Sequence, residues 1–247
     1  MRNILTGSLF FLFACGGGDS GGDSAAGSDA AAVAPLGGGS ISGVVNFAGD
    51  APSNPVLDMS EEAVCAVKHQ GEIRDPIHVI NDGRLANVFI RITAGLPDGP
   101  FPAAVGSVVL DQDGCLYNPR VVGIVVGQDL VFTNSDSLQH NIKAVPTNNR
   151  GFNVSQPRAG MTTTKTFAVA EIMVPLECSV HSWMHAYVGV VEHPYFATSG
   201  GDGSFTINGL PAGTYTLEAW HETLGTQTAE VTVAADGAAS IEFDYGA

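Results

Sequence analysis

The chain has 247 residues, and its 10 Lys and Arg against 25 Asp and Glu give a formal net charge of −15 at pH 7. Such an acidic excess argues against binding to nucleic acid and against adsorption to anionic lipid. The sequence contains no recognisable Ser-His-Asp arrangement, phosphate loop or pair of catalytic carboxylates, and it therefore does not predict an enzyme.

The first 14 residues have the pattern of an export signal. A short basic start precedes an apolar stretch at 4–14, which is too short to cross a bilayer but is typical of the core of a signal peptide. The stretch ends in Leu-Phe-Ala-Cys15, which resembles a bacterial lipobox, whose cysteine is acylated after cleavage. We expect residues 1–14 to be removed and Cys15 to anchor an exported protein to a bacterial membrane, facing the periplasm or the cell surface. An ordinary signal peptide with a coincidental cysteine is the alternative.

The next segment, residues 15–39, is predicted to be a flexible tether. After Cys15 it is nearly all Gly, Ser, Ala and Asp. This composition cannot bury enough apolar surface to offset the entropy of the chain, and Gly/Ser-rich segments behave as flexible linkers. The residues from 40 onwards have the length of one large or two small β-domains.

Many short strands are predicted in the rest of the chain, and no convincing amphipathic helix. Runs of β-branched residues are separated by turn signals such as Asp-Gly, Asn-Pro and Gly-Gln. This pattern is typical of a β-sandwich, so the predicted fold class is all-β. The predicted strands are 40–47, 85–93, 108–110, 121–126, 130–133, 165–170, 172–176 and 186–191.

One loop and one upstream histidine combine the ligand types of a copper site. Residues 178–184 are Cys-Ser-Val-His-Ser-Trp-Met, and His140 precedes Cys178 by 38 residues. A thiolate, two imidazoles and a thioether are the ligands of a blue-copper electron-transfer site, trigonal His₂Cys with a long axial Met. His140 is expected at the end of one strand, and the other three ligands lie in the loop that joins two other strands. We therefore expect the ligands to converge at one end of the sandwich. A structural cysteine with histidines near it by chance is the alternative.

Around these ligands the chain resembles the cupredoxin family, with a short ligand loop like that of the amicyanins. The resemblance rests on Gly-Gln-Asp-Leu-Val-Phe-Thr-Asn-Ser-Asp from residue 127, on His-Asn at 140–141 and on the Cys-x₂-His-x₂-Met loop. It covers about residues 105–195 and implies a Greek-key β-sandwich. It also implies that Asn141 ties the two ligand loops together by hydrogen bonds near the thiolate. The implied ligands of one type 1 copper are His140, Cys178, His181 and Met184.

The loop departs from the family in two places. Ser182 stands where such loops often carry Pro, and His185 directly follows Met184, so that an imidazole is an alternative axial ligand. If the chain enters a strand at His185, its side chain points away from that of Met184, and we therefore expect Met184 to be axial. The resemblance also implies that electrons pass through an exposed edge of His181, within an uncharged patch.

The remaining cysteines, Cys65 and Cys115, are expected to form a disulfide, because an exported chain meets an oxidising compartment. The alternative is a second metal site made by these two residues and His69, although the Cys-x₃-His spacing is a weak signal. We interpret three other histidines as surface or packing residues: His78, His193 and His221.

The C-terminal residues resemble a second family. Residues 202–220 alternate, with Phe205, Ile207, Tyr215 and Leu217 on one face and a Gly-Leu-Pro-Ala-Gly turn between the two halves. This resembles the hairpin of carboxypeptidase regulatory-like (transthyretin-like) modules, and residues 40–47 resemble the opening strand of the same module. We therefore expect 40–104 and 198–247 to form one small sandwich, with the cupredoxin domain at 105–197 inserted between them.

Together these features predict a lipid-anchored, all-β copper protein that carries single electrons between a donor and an acceptor protein outside the cytoplasm. Three alternatives stay open. A red-copper or catalytic site would use His185 or an open coordination position. A copper carrier would show exposed ligands, and a surface-anchored binding module would have no working metal site.

Overall fold

The computed structural model describes residues 36–69, 71–101 and 103–246; the predicted signal peptide, Cys15 and most of the predicted tether lie outside them. The described residues form strands and one six-residue helix, so the predicted all-β class is confirmed. No helix in this part of the chain is long and apolar enough to cross a membrane.

The elements are β1 (Gly39–Phe47), α1 (Ala63–Lys68), β2 (Ile80–Asn81), β3 (Arg84–Leu85), β4 (Phe89–Ala94), β5 (Val108–Asp113), β6 (Leu116–Asn118), β7 (Val121–Val125), β8 (Leu130–Asn134), β9 (His140–Ala144), β10 (Phe152–Gln156), β11 (Thr162–Lys165), β12 (Glu171–Glu177), β13 (His185–Val191), β14 (Phe196–Thr198), β15 (Ser204–Leu210), β16 (Gly213–His221), β17 (Gly225–Val233) and β18 (Ala238–Tyr245).

Strands β5 to β13 form two facing sheets, called here the sandwich. One sheet has the order β10-β9-β12-β13-β7 and the other β11-β8-β5-β6. Alternate side chains of each strand point inward, and they build a core that includes Leu110, Phe132, Ile142, Val174 and Val188, all fully buried. This is the β-sandwich that the cupredoxin resemblance implied.

Strands from both ends of the chain form two further sheets, called here the module. In one sheet β1 lies between β15 and β18, and in the other β4 lies between β14 and β16. The apolar face of β1 meets that of β16 in a common core, which includes Ile41, Val45, Tyr215 and Leu217. The residues at which each predicted domain begins and ends stay a prediction.

The predicted hairpin of residues 202–220 is wrong in its pairing. β15 pairs with β1, whereas β16 pairs with β17 and β4, so the Gly-Leu-Pro-Ala-Gly turn carries the chain from one sheet to the other. Phe205 and Ile207 enter the core from one side, and Tyr215 and Leu217 enter it from the opposite side. A strand that faces a shared core alternates in the same way as a strand of a hairpin, so the periodicity could not distinguish the two arrangements.

The predicted strand at 165–170 is also wrong. β11 ends at Lys165, where that strand was expected to begin, and it pairs with Leu130 to Thr133 of β8. Phe167 lies beyond the strand and is nevertheless buried in the sandwich core. A single buried aromatic side chain in a loop therefore produced the apparent alternation.

Two glycines let the sandwich and the module approach each other closely. A Cβ atom on Gly123 of β7 would lie 2.3 Å from the Phe196 ring, and one on Gly189 of β13 would lie 2.6 Å from the Phe89 ring. Both distances are far shorter than carbon atoms allow. The two glycines thus leave the space that the aromatic rings of the module occupy.

Candidate metal centre

The predicted ligands meet at one end of the sandwich. His140 is the first residue of β9, and Cys178 to Met184 form the loop between β12 and β13. Two backbone hydrogen bonds close this loop: Met184 N–H donates to the carbonyl of His181 at 3.0 Å, and Cys178 N–H donates to that of Met184 at 3.2 Å. A strand end and a tight loop between strands thus bring the distant histidine beside the other three side chains.

His140, Cys178 and His181 form a compact group that could hold a metal ion. Their ligand atoms all lie within 4.8 Å of one another, and the three residues are buried. The Nδ1 atoms of His140 and His181 lie 2.9 Å apart, and Cys178 Sγ lies 3.8 Å from His181 Nδ1. Metal–imidazole bonds are about 2.0–2.1 Å long, so two nitrogens at this separation can bind one ion placed between them.

The surroundings of Cys178 favour its thiolate, which is the form that binds metal. Burial alone would raise the pKa of this thiol, but hydrogen bonds from His140 and His181 outweigh burial and lower the pKa to about 5. The backbone N–H of His181 also donates to Cys178 Sγ at 3.4 Å. The cysteine is therefore charged at neutral pH, and copper is a metal that accepts a soft thiolate together with imidazoles.

Asn141 joins the two ligand segments. Its Oδ1 accepts a hydrogen bond from the Ser179 backbone at 2.7 Å and lies 3.3 Å from Cys178 Sγ. Its Nδ2 donates to Asn153 Oδ1 on the neighbouring strand β10 at 2.5 Å. Asn141 of β9 thus contacts the first two residues of the loop between β12 and β13.

Met184 and His185 differ in burial. Met184 is fully buried and belongs to the same core cluster as Cys178. His185 is partly exposed, begins β13 and lies opposite Glu177 of β12. His185 does not belong to the compact group that His140, Cys178 and His181 form. Burial therefore favours Met184 as the fourth ligand.

Asp136 is a residue of this site that the sequence reasoning missed. Its carboxylate is fully buried and accepts hydrogen bonds from His140 Nε2 at 2.8 Å, from the Cys115 amide at 2.8 Å and from the Gly114 amide at 3.0 Å. Lys68 Nζ lies 2.6 Å from Asp136 Oδ1. Burial alone would raise the pKa of Asp136, but these bonds hold it well below its usual range. The signal available in the sequence was its position four residues before His140.

The expectation that His181 exposes an edge to solvent is wrong. Only 1% of His181 is exposed. Residues 55–69 and 71–75, called here the capping loop, lie beside it, and the closest carboxylate oxygen, Glu62 Oε1, is 4.0 Å from His181 Nε2. The Trp183 ring packs against the same imidazole with a centroid distance of 5.1 Å. A segment far away in the sequence thus occupies the place where solvent was expected.

The capping loop is closed at its neck and attached at its tip. At the neck, Asp75 N–H donates to the Pro55 carbonyl and Leu57 N–H to the Ile73 carbonyl, both at 2.9 Å. Near the tip, Cys65 of α1 is joined to Cys115 by a disulfide. The expected pair of cysteines is therefore bonded in the structure.

The alternative of a second metal site at Cys65, His69 and Cys115 is wrong. The disulfide removes both thiolates, and His69 Nε2 instead lies 2.6 Å from the Gly114 carbonyl. A disulfide sulfur is a poor substitute for the thiolate that binds metals. Both bonds fix α1 onto the turn between β5 and β6.

Comparisons with known proteins find two kinds of similarity. Residues 185–245 match the carboxypeptidase regulatory-like domain family. Among solved structures, the purple cupredoxin from Nitrosopumilus maritimus is 25% identical with a TM-score of 0.29, over 33% of this chain and 97% of that one. A methionine-to-alanine mutant of amicyanin in the Cu(I) form is 20% identical with a TM-score of 0.31, over 41% of this chain and 97% of that one.

A copper-containing nitrite reductase from Thermus scotoductus is 20% identical with a TM-score of 0.33, over 39% of this chain. The match covers only 25% of the length of that enzyme. No curated protein matches the chain. The chain is thus similar to cupredoxins in one part and to carboxypeptidase regulatory-like domains in another.

Proposed function

We propose that this protein binds one copper ion of type 1 and transfers single electrons, cycling between Cu(I) and Cu(II). The observation that carries the proposal is the buried group of His140, Cys178 and His181, with ligand atoms within 4.8 Å of one another. Type 1 copper sites bind the metal through two imidazoles and a thiolate, which His140, His181 and Cys178 would provide, and Met184 would add the weak thioether ligand.

Each protein group has a distinct task in this reaction. Copper supplies a reversible one-electron couple. Cys178 would hold the metal through its thiolate, the form that its lowered pKa of about 5 favours. Asn141 and the closed loop hold the thiolate in place. Burial of the ligands keeps water away, so the surroundings need little rearrangement when the charge of the ion changes by one.

The location and partners follow from the sequence features. The lipobox-like Leu-Phe-Ala-Cys15 supports a lipid anchor on an exported protein, and the disulfide is typical of an oxidising compartment. The electron donor and acceptor would then be proteins outside the cytoplasm. The net charge of −15 favours partners with a basic surface and gives no support for binding to nucleic acid.

Copper loading of the purified protein tests the proposal. We expect one copper per chain and, in the oxidised state, an intense visible absorption from charge transfer between the Cys178 thiolate and Cu(II). Metal analysis and one optical spectrum measure both. A wild-type protein that takes up no stoichiometric copper would refute the proposal, and a weak absorption without the thiolate band would favour a catalytic or carrier site.

A further inference from the structure

The capping loop reaches both imidazoles of the proposed copper site. One of its residues, Lys68, contacts Asp136 at 2.6 Å, and Asp136 contacts His140. Another, Glu62, lies 4.0 Å from His181. The disulfide at Cys65 lies between them in the sequence and fixes the helix that carries Lys68.

On the His140 side, a complete chain of charged hydrogen bonds is present. A metal-bound histidine that donates its other N–H to a carboxylate is a stronger ligand, because the negative charge raises the electron density on the ring. Asp136 Oδ2 accepts this bond from His140 Nε2 at 2.8 Å. Cu(II) carries more charge than Cu(I), so the carboxylate stabilises the oxidised state, whereas the ammonium group of Lys68 opposes this effect.

On the His181 side, the corresponding bond is incomplete. His181 Nε2 is buried and has no hydrogen-bond partner among the described residues. Buried polar nitrogens almost always have one, because an unpaired buried group is destabilising. The side chain of Glu62 is 42% exposed and therefore free to turn. A small rotation, or one bridging water, joins its carboxylate to the imidazole.

We propose that the capping loop sets the redox properties of the copper site: Glu62 is the positioning residue for His181, and Lys68 modulates the action of Asp136 on His140. This inference rests on the proposed function. Its consequence is that the charges of a segment distant in sequence decide how strongly the site prefers Cu(II). Electron partners then meet this loop, since the edge of His181 is covered.

The test compares four variants by reduction potential. Asp136→Asn should weaken the preference for Cu(II) by at least tenfold, which is an upward shift of about 59 mV for one electron. Lys68→Met should move the potential in the opposite direction, because it removes a positive charge. Glu62→Gln should also raise the reduction potential, but the shift should be several-fold smaller than that of Asp136→Asn. The matched control is Glu61→Gln, which removes the same charge from the neighbouring residue.

The signs separate an electrostatic role from a structural one. Loosening of the site would shift Asp136→Asn and Lys68→Met in the same direction, and that result would overturn the proposal. Equal shifts for Glu62→Gln and Glu61→Gln would also overturn it, because the effect would then be a general one of surface charge. If Asp136→Asn does not fold, the reduction potentials of Lys68→Met, Glu62→Gln and Glu61→Gln still test the proposal. A potential that Lys68→Met leaves unchanged or raises would then overturn it.

A measurement on the metal-free protein distinguishes this proposal from the proposed function. ¹⁵N NMR should find that Glu62→Ala changes the chemical shift of His181 Nε2, while Glu61→Ala leaves it as in the wild type. An unchanged Nε2 chemical shift in Glu62→Ala would overturn the role of Glu62 whether or not copper binds. Failure of the wild type to bind copper would refute the proposed function alone.

Discussion

The ligand end of the sandwich and the core of the module are both fully buried, but they are built from different groups. At the ligand end, Asp136, His140 and His181 are at most 1% exposed. The module core is apolar, and the tyrosines that enter it keep their hydroxyls on backbone carbonyls, as Tyr245 does with Ala219 at 2.8 Å. Burial thus encloses charged and polar groups at the ligand end, whereas it encloses mainly apolar groups in the module.

The difference lies in what each burial costs. Apolar burial stabilises the fold by about 25 cal/mol per Å², so the module core is a source of stability. A buried charge costs several kcal/mol unless it is paired, so the ligand end must be held by partners such as Lys68 and the Gly114 amide. We therefore expect changes at the ligand end to alter the metal site and changes in the module to alter stability.

The largest effect is expected from Cys178→Ser. A hydroxyl is a hard and weakly acidic group that does not replace a thiolate, so the intense visible absorption should disappear completely. The optical spectrum measures this, and far-ultraviolet circular dichroism should be unchanged because the side chains have nearly the same size. Ser179→Ala, at the exposed neighbouring position, is the control and should keep the colour. A Cys178→Ser protein with an intact band would place the thiolate ligand elsewhere.

The second prediction concerns the bond that ties the capping loop to the ligand end. Cys65→Ala/Cys115→Ala should lower the free energy of unfolding by about 4 kcal/mol, because the disulfide closes a loop of 50 residues. Urea denaturation measures this, with the wild type under reducing conditions as a second route to the same state. A loss below about 1 kcal/mol, far under the loop-closure value, would mean that the capping loop stays docked without the bond.

The third prediction tests the one strongly perturbed imidazole near the module core, His221. It is 1% exposed, its Nε2 lies 3.1 Å from the Ile77 carbonyl, and its Nδ1 accepts from the backbone N–H groups of Thr223 and Leu224. Burial, reinforced by nearby His78 and Arg120 and opposed by Glu222, lowers the pKa of His221 to about 4.

Because the folded state resists protonation of His221, its stability should fall as the pH drops from 6.5 to about 4. The difference between these two pKa values corresponds to about 3 kcal/mol. Urea denaturation at about pH 7.5 and about pH 4.5, on either side of the ordinary histidine pKa, should find most of this loss in the wild type. The loss should be smaller in His221→Gln, whose amide still donates to Ile77. Equal losses in the two proteins would contradict the prediction.

The smallest effect is expected at the axial position. Met184→Leu removes a weak ligand and leaves the trigonal plane, so the protein should keep copper and the thiolate band, while its reduction potential rises. His185→Ala is the matched comparison, and it should change the thiolate band and the reduction potential only slightly. If His185→Ala transforms the spectrum and Met184→Leu does not, the imidazole is the axial ligand and the site is of the red-copper or catalytic kind.

The all-β class and the residues of the candidate metal centre could be predicted from the sequence alone. Alternation and turn residues act over a few residues, so most strands of the sandwich could be predicted near their true places. The types and spacing of His140, Cys178, His181 and Met184 predict a copper site because few metals accept that mixture of ligands. The role of Asn141 was implied by the resemblance to cupredoxins.

Which segments of the chain contact each other could not be predicted from the sequence. β15 and β16 alternate as a hairpin would, and their separation into two sheets depends on pairing with β1 and β4, which lie far away in the sequence. The burial of His181 and the bond between Lys68 and Asp136 likewise depend on the capping loop. Local patterns record which side of a strand is apolar, but not which distant segment covers it, because contacts across the fold leave no periodic signal.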